Sequence, residues 1–562
     1  MWPRRRGRPW RWIVAGAAAV LLLPVVAAGA LLGLVEPAVA PDRYVEAVAG
    51  EPPLLNPVLA PYTLAGQDVL PLVFGSLVRT DAAGNTALAL AERLDVEEDG
   101  QAYLVRLRDG LRWDDGEPLT ADDVAFTVGL VQAADQQGST ELADLWRGVA
   151  VEVVDPRTVR FRLPTPLASF PEHLTLGLLP RHALDGVTAS ALPLHPFNRQ
   201  PVGSGPYRVA AFEPDRLLLE RNSYYHGAAA RLSQIELHAY GERSEAVRAV
   251  VQGEVDGLAG LLPDEIGQVA AAPNHVVYAL PERSKTAAVI FNLATPILKD
   301  PTVRQALARA VDREALIRDA LAGQGEPAYG PIPVQSWAYV RAPAAPEYDP
   351  VAAMQLLDEA GWRPGPAGTR EHDGITLSLT LVTTDTPERL AVAKALTEQL
   401  RRIGVAMDVR AVAPDELFDD YLEPRRFEAA LMGQWSMGSD PDVYPQWHSS
   451  QTTSTGGNYS GFADADVDRW LEVGRQSPDR ELRRTAYEHF QARWAEAQPA
   501  LVLYHPIYSF VVARDVWGVT ADPQPDSSWR LRSATGWYRV ARPTGWQEAR
   551  AAVATRASRI CC

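Results

Sequence analysis

Residues 101–108 alternate, with Tyr103, Val105 and Leu107 on one side and Leu104, Arg106 and Arg108 on the other. That two-residue period predicts a strand. Asp109-Gly110 and Asp115-Gly116 then bracket residues 111–113, giving tight turns around a short strand. Thr120 opens a helix carrying Val124, Phe126, Thr127 and Val128, and Asp122 and Asp123 fall at its positive end. These two acids read as helix capping, not catalysis. A glycine turn, Val202-Gly-Ser-Gly-Pro-Tyr207, leads into a strand over 207–212.

The texture changes near residue 286. An apolar strand over 286–291 ends in Asn292, and Asp300-Pro301 and Asp349-Pro350 each supply a capping aspartate followed by proline at the first helical position. Val303, Ala306, Leu307, Ala310 and Val311 recur at helical spacing. A strand over 377–382, a helix over 387–402, Gly404 and a strand over 405–412 predict a parallel pair with a right-handed crossover. A strand over 429–435 runs into a polar loop, 480–497 is helical, and another strand begins at 500. Residues 508–537 are rich in strand formers, carry no helix of their own, and are expected to return to the first lobe. The pattern predicts an α/β chain of two lobes, with a mixed-sheet first lobe and an α/β second lobe. They are joined by two crossings near Lys285 and His505, as a hinge requires. The expected divisions are an export segment or anchor at 1–40, lobe I at 41–285, lobe II at 286–505, a return to lobe I at 506–545, and a tail at 546–562.

Length agrees: 562 residues exceed what one core usually supports. A hydrophobic fraction of 47% and a charged fraction of 22% are those of a globular protein. The net charge of -16 repels phosphate backbones and argues against a nucleic-acid partner. Arg4, Arg5, Arg6, Arg8 and Arg11 precede an apolar run over 13–35, and Ala38-Val39-Ala40 has the small-residue form of a cleavage site. The run is also long enough to span a bilayer. Cleavage and retention as a membrane anchor are both open, and either delivers the body outside the cytoplasm. Cys561 and Cys562 are the two cysteines, adjacent at the C-terminus, so no disulfide framework or thiolate metal site is expected in the body.

Catalytic and metal signatures are weak. The Gly203-Ser-Gly205 turn precedes a strand, whereas a phosphate site needs a helix N-terminus. The ten histidines are scattered, so His448 reads as a polar or supporting residue and not a nickel ligand. Carboxylates could supply a glycosidase pair, but no Gly-x-Ser-x-Gly or His-Glu-x-x-His appears. No enzyme activity, cofactor or metal is expected.

Four segments carry a resemblance. They are Leu104 to Val124, the turn at 202–207, Phe291-Asn292 with Val303 to Leu307 and Ala310-Val-Asp312, and Tyr348-Asp-Pro350 with 357–362. Together they resemble the extracytoplasmic solute-binding proteins of family 5, the peptide and nickel class serving ATP-driven importers. The resemblance implies a two-lobed periplasmic-binding-protein-like fold, with two subdomains in lobe I and a solute, a short peptide, held between the lobes. It also implies ABC permease and ATPase subunits as partners, and a monomer in a periplasmic or cell-surface location. It places Glu51, Pro52 and Pro53 on one wall of the cleft and the loop Trp435, Ser436, Asp440, Asp442 on the other. The rule that open sheets bind ligands beyond their strands' carboxyl ends adds Phe291 and Asn292. Peptide-binding members carry an aspartate three residues after the tryptophan. Here that position is Gly438, so either Asp440 takes the amine or the solute has none. Oligosaccharide is therefore the alternative solute, with Trp435 as a stacking wall, and a sensor role or a carboxylate-based hydrolase stands behind it.

Overall fold

A computed structural model describes residues 42–59, 64–81, 85–138, 140–341, 346–366, 368–433, 440–520 and 529–540. The expected export segment and tail lie outside them. Among the described residues no helix is long and apolar enough to cross a membrane.

Strand β1 (Arg43–Ala49) is buried at five successive positions. Tyr44 and Val48 enter one core and Val45 and Ala47 another, so the strand is covered on both faces. Helix α1 (Leu64–Val73) follows. Strands β2 (Ala91–Glu97) and β3 (Ala102–Leu107), helix α2 (Ala121–Gln132), and strands β4 (Ala150–Asp155) and β5 (Thr158–Arg162) build a separate subdomain. Its antiparallel sheet runs β2-β3-β5-β4, with α2 packed against it. Asp123 Oδ2 accepts the Thr120 N–H at 2.8 Å, the capping role expected of it. The expected strand over 111–113 is reduced to a single bridge between Arg112 and Pro118. Two closely spaced glycine turns leave too few residues for a ladder.

Strands β6 (Tyr207–Glu213), β7 (Arg216–Arg221) and β8 (Gln234–Tyr240) return the chain beside β1, which pairs parallel with β8. Helix α3 (Arg243–Gln252) crosses to β9 (Gly257–Leu258), also parallel to β1. A Cβ on Gly257 would lie 1.9 Å from the Tyr44 hydroxyl, so only glycine admits this close pairing. Strand β10 (His275–Pro281) leads out of the lobe.

The second lobe opens with β11 (Ala287–Phe291) and α4 (Pro301–Arg309), where Asp300 Oδ1 accepts the Thr302 N–H at 2.8 Å. Helix α5 (Pro350–Glu359) is capped the same way by Asp349. Strand β12 (Ser378–Thr384), helix α6 (Pro387–Arg401) and strand β13 (Ala406–Val412) form the expected parallel crossover. Strand β14 (Ala429–Gly433), helices α7 (Ala465–Gln476) and α8 (Arg480–Ala497), strand β15 (Ala500–Ala513) and the short helix α9 (Trp529–Arg532) complete the described chain. The helix α9 corrects the expectation that 508–537 holds none.

One strand serves both lobes. Residues 500–504 of β15 pair with β11, and residues 507–513 pair with β10. The twelve strands of the main sheet among the described residues thus run β13-β12-β14-β11-β15-β9-β1-β8-β7-β6, with β10 and a short strand at Gly325–Pro327 also on β15. The two crossing segments touch: the Glu282 N–H donates to Pro506 O at 2.8 Å, and His505 Nδ1 lies 2.9 Å from Lys285 O. The chain is a two-lobed α/β body with a two-segment hinge.

Candidate functional site

Strands β8 and β9 each lie parallel beside β1, and the carboxyl ends of β1 and β9 open onto one cavity of about 530 Å³ that Leu237, midway along β8, also lines. Open α/β sheets bind ligands at this end because loops, not paired strands, form the wall. Glu51, Pro52 and Pro53 line the cavity, together with Leu237, Leu258 and Leu531. Every described lining residue belongs to the first lobe or to the segment that returns to it.

A charged cluster lies against this cavity. Arg530, from α9, donates to Glu46 Oε2 at 3.0 Å and to Asp68 Oδ2 at 2.7 Å, and all three side chains are 2% exposed. The Tyr44 hydroxyl also donates to Glu46 Oε2. Burial pushes the Glu46 carboxyl up from its ordinary range, against the pull of Arg530. Burial alone would lower the guanidinium, but the carboxylates of Glu46 and Asp68 overcome it and hold Arg530 well above its usual value. Arg243 also lines the cavity, but Glu265 accepts two hydrogen bonds from it, each at 2.7 Å. None of these four ionic residues was singled out from the sequence. The available signal was one acid inside the apolar run Tyr44-Val-Glu-Ala-Val48. Asp68 and Arg530 gave none, because they meet Glu46 only through folding.

The second-lobe residues are disposed differently. Trp435 and Ser436 lie outside the described residues. Phe291 is buried in the second lobe's core. Asn292 is buried too, and its Nδ2 donates to Arg425 O at 3.0 Å and Phe427 O at 2.8 Å, tying down the turn before β14. Asp440 Oδ1 accepts from Arg483 at 2.5 Å, and its N–H donates to Glu172 of the first lobe. Asp442 pairs with Arg475 at 3.6 Å and accepts the Tyr444 N–H at 3.2 Å, and burial pushes its carboxyl up. The first lobe adds the Ala168 N–H, which donates to Arg475 O at 2.7 Å. Asp440 and Asp442 therefore sit where the lobes touch, each engaged by an arginine. His448 stacks on Tyr444 with ring centroids 4.0 Å apart. Among the described residues no three or more His, Cys, Asp or Glu side chains are grouped so as to hold a metal ion.

A protein-family model, bacterial extracellular solute-binding proteins, family 5 Middle, matches residues 85–456. The oligopeptide-binding protein AppA of Bacillus subtilis is 30% identical over 487 residues, 85% of this chain and 88% of that protein. The solved structure of AppA from Bacillus subtilis in complex with a nonapeptide aligns with a TM-score of 0.67 at 28% identity, over 89% of this chain and 99% of that one. The structure of NikZ from Campylobacter jejuni in complex with Ni(L-His) aligns at 0.70 and 25% identity, over 89% and 100%.

Proposed function

Because this chain belongs to the bacterial extracellular solute-binding proteins of family 5, we propose that it is the substrate-binding subunit of an ABC importer and captures a short peptide between its lobes. The observation that carries this reading is the cavity at the carboxyl ends of β1 and β9, in a chain similar along most of its length to an oligopeptide-binding protein. The first lobe offers one wall through Glu51, Pro52 and Pro53. The loop with Trp435 and Ser436 supplies the other when the lobes close, and Asp440 and Asp442 brace that loop. The hinge is the pair of segments that cross beside His505.

Capture is physical and makes no covalent bond. Solute binds one lobe in an open form, and closure adds contacts from the other while water leaves. Only the solute's preference for the closed form drives the change. Moving from mostly open to mostly closed takes roughly 5 kcal/mol of such preference. The body works as a monomer outside the cytoplasm, exported by its N-terminal segment, and delivers solute to permease and ATPase subunits.

A thermal-shift panel of peptides, oligosaccharides and metal ions on the purified full chain tests the reading. A peptide at a hundred times its Kd adds about 2.7 kcal/mol and raises Tm. Stabilisation by oligosaccharides or metal ions, with none by peptides, overturns it.

A further inference from the structure

We propose that the first-lobe cavity is an apolar subsite that takes one aliphatic or aromatic side chain of the bound peptide, with Ala65 and Ala259 setting how large that side chain can be. The inference rests on the reading of this cavity as part of the solute site. It names which peptides that part selects.

The polar lining residues are already engaged within the protein. Tyr44 and Arg530 hold Glu46 through Oε2, and Arg530 holds Asp68 through Oδ2. Their other oxygens, Glu46 Oε1 and Asp68 Oδ1, are buried. Arg243 donates to both oxygens of Glu265 and, at 2.6 Å, to Gly260 O. Asn56 is 1% exposed, its Nδ2 donates to Asn198 Oδ1 at 2.9 Å, and its Oδ1 accepts the Val58 N–H at 3.0 Å. Pro52 and Pro53 have no N–H to donate. Glu51 is the remaining charged residue of the described lining, and it is exposed to solvent.

What is left facing the space is hydrocarbon. Leu237, Leu258 and Leu531, from β8, β9 and α9, form a packed floor, each 2% exposed or less. Leu54, 49% exposed, adds an open apolar wall. A charged or amide group entering here would lose its water and find no free partner among the described lining side chains, which is unfavourable. An alkyl or aryl group gains by leaving water. About 530 Å³ is room for a leucine or phenylalanine side chain with the backbone that carries it. That room exists because Ala65, in the first turn of α1, and Ala259, just after β9, are small. Larger residues at either position would fill it.

Calorimetry on the purified full chain tests this with trialanine and with tripeptides in which one alanine, at each position in turn, is replaced by leucine or by asparagine, a polar side chain of similar size. At one position leucine is expected to bind about 30-fold tighter than alanine, the return on three carbons leaving water, and asparagine no tighter than alanine. Ala259→Leu, which fills the cavity, is expected to compress the leucine-to-alanine ratio below about 3-fold. Leu54→Ser is the second variant and should reduce the same ratio, and the wild-type comparison stands even where neither variant folds. Equal affinity for alanine and leucine at every position overturns the subsite and leaves peptide capture standing. So does an asparagine that matches leucine, or a leucine preference unchanged in both variants. Binding of none of the tripeptides overturns the subsite and peptide capture together.

Discussion

Arg530 shows how one side chain's worth depends on what surrounds it. Its guanidinium is buried between Glu46 and Asp68, and the Phe510 ring lies 5.6 Å from its central carbon. Removing the cation leaves two buried carboxylates facing each other. Arg530→Met should therefore cost about 3–5 kcal/mol of unfolding free energy by chemical denaturation. Adding Glu46→Gln and Asp68→Asn should restore part of that loss. His173 gives a pH prediction at the same scale. Burial, with a smaller push from Arg475, lowers its pKa to about 4. The folded state thus holds this imidazole neutral while the unfolded chain takes up a proton below about 6.5. Between those values the unfolded state binds more protons, so stability present above pH 6.5 is lost as pH falls towards 4. The full effect is about 3 kcal/mol. The difference in stability between wild type and His173→Gln, followed by thermal unfolding across pH 4–7, should shrink as pH falls. Capping residues such as Asp300 and Asp349 were legible in the sequence because a cap acts within three positions of itself. Glu46, Asp68 and Arg530 were not, because Asp68 and Arg530 lie 462 positions apart and only the fold joins them.

Arg304 does for two elements what Arg530 does for one cavity. It stands on α4, is 4% exposed, and donates to Ala497 O at 2.9 Å and Gln498 O at 3.1 Å, the carboxyl end of α8. It also reaches Leu298 O at 2.5 Å and Lys299 O at 2.9 Å. A cation at a helix C-terminus is favoured by the helix dipole and satisfies carbonyls that the helix leaves open. Burial lowers its pKa to about 10, so it remains charged at neutral pH. Arg304→Met should lower the unfolding free energy by about 3 kcal/mol, seen as a shifted denaturant midpoint with an unchanged slope. The elements themselves were largely visible beforehand. The strand, helix and strand over 377–412 and the helix over 480–497 follow from period and caps. The single strand through 500–513 was seen only at its start, because Pro506 and the polar Tyr504-His505 interrupt its apolar run. Pairing on both sides holds it extended past that interruption.

At the scale of the molecule, the lobes meet away from the hinge as well as at it. Glu172 accepts the Asp440 N–H, and Ser169 and Ala168 engage Asp442 and Arg475. These contacts hold the lobes against each other by the free energy of a few hydrogen bonds, two of them to carboxylates. Glu172→Ala should therefore shift the solute-free population towards the open form, by about 5- to 150-fold for 1–3 kcal/mol. Solution scattering should show a larger radius of gyration than wild type, and saturating solute should bring the two together. No change between the proteins would mean the contact carries no weight in closure.

By itself the sequence determined what local physics controls: alternating and helical periods, caps, turns, and an acidic surface hostile to phosphate backbones. Those are properties of neighbours along the chain, and they were enough to lay out two α/β lobes and the place where the chain passes between them. The tertiary structure decided which distant side chains share a space. It sent Phe291 into a core and Asn292 onto a turn, paired Asp440 and Asp442 with arginines, and brought Glu46, Asp68 and Arg530 together beside one cavity. Charges buried in such a space interact far more strongly than charges in water, so the cavity's character was set at the step the linear chain does not encode locally.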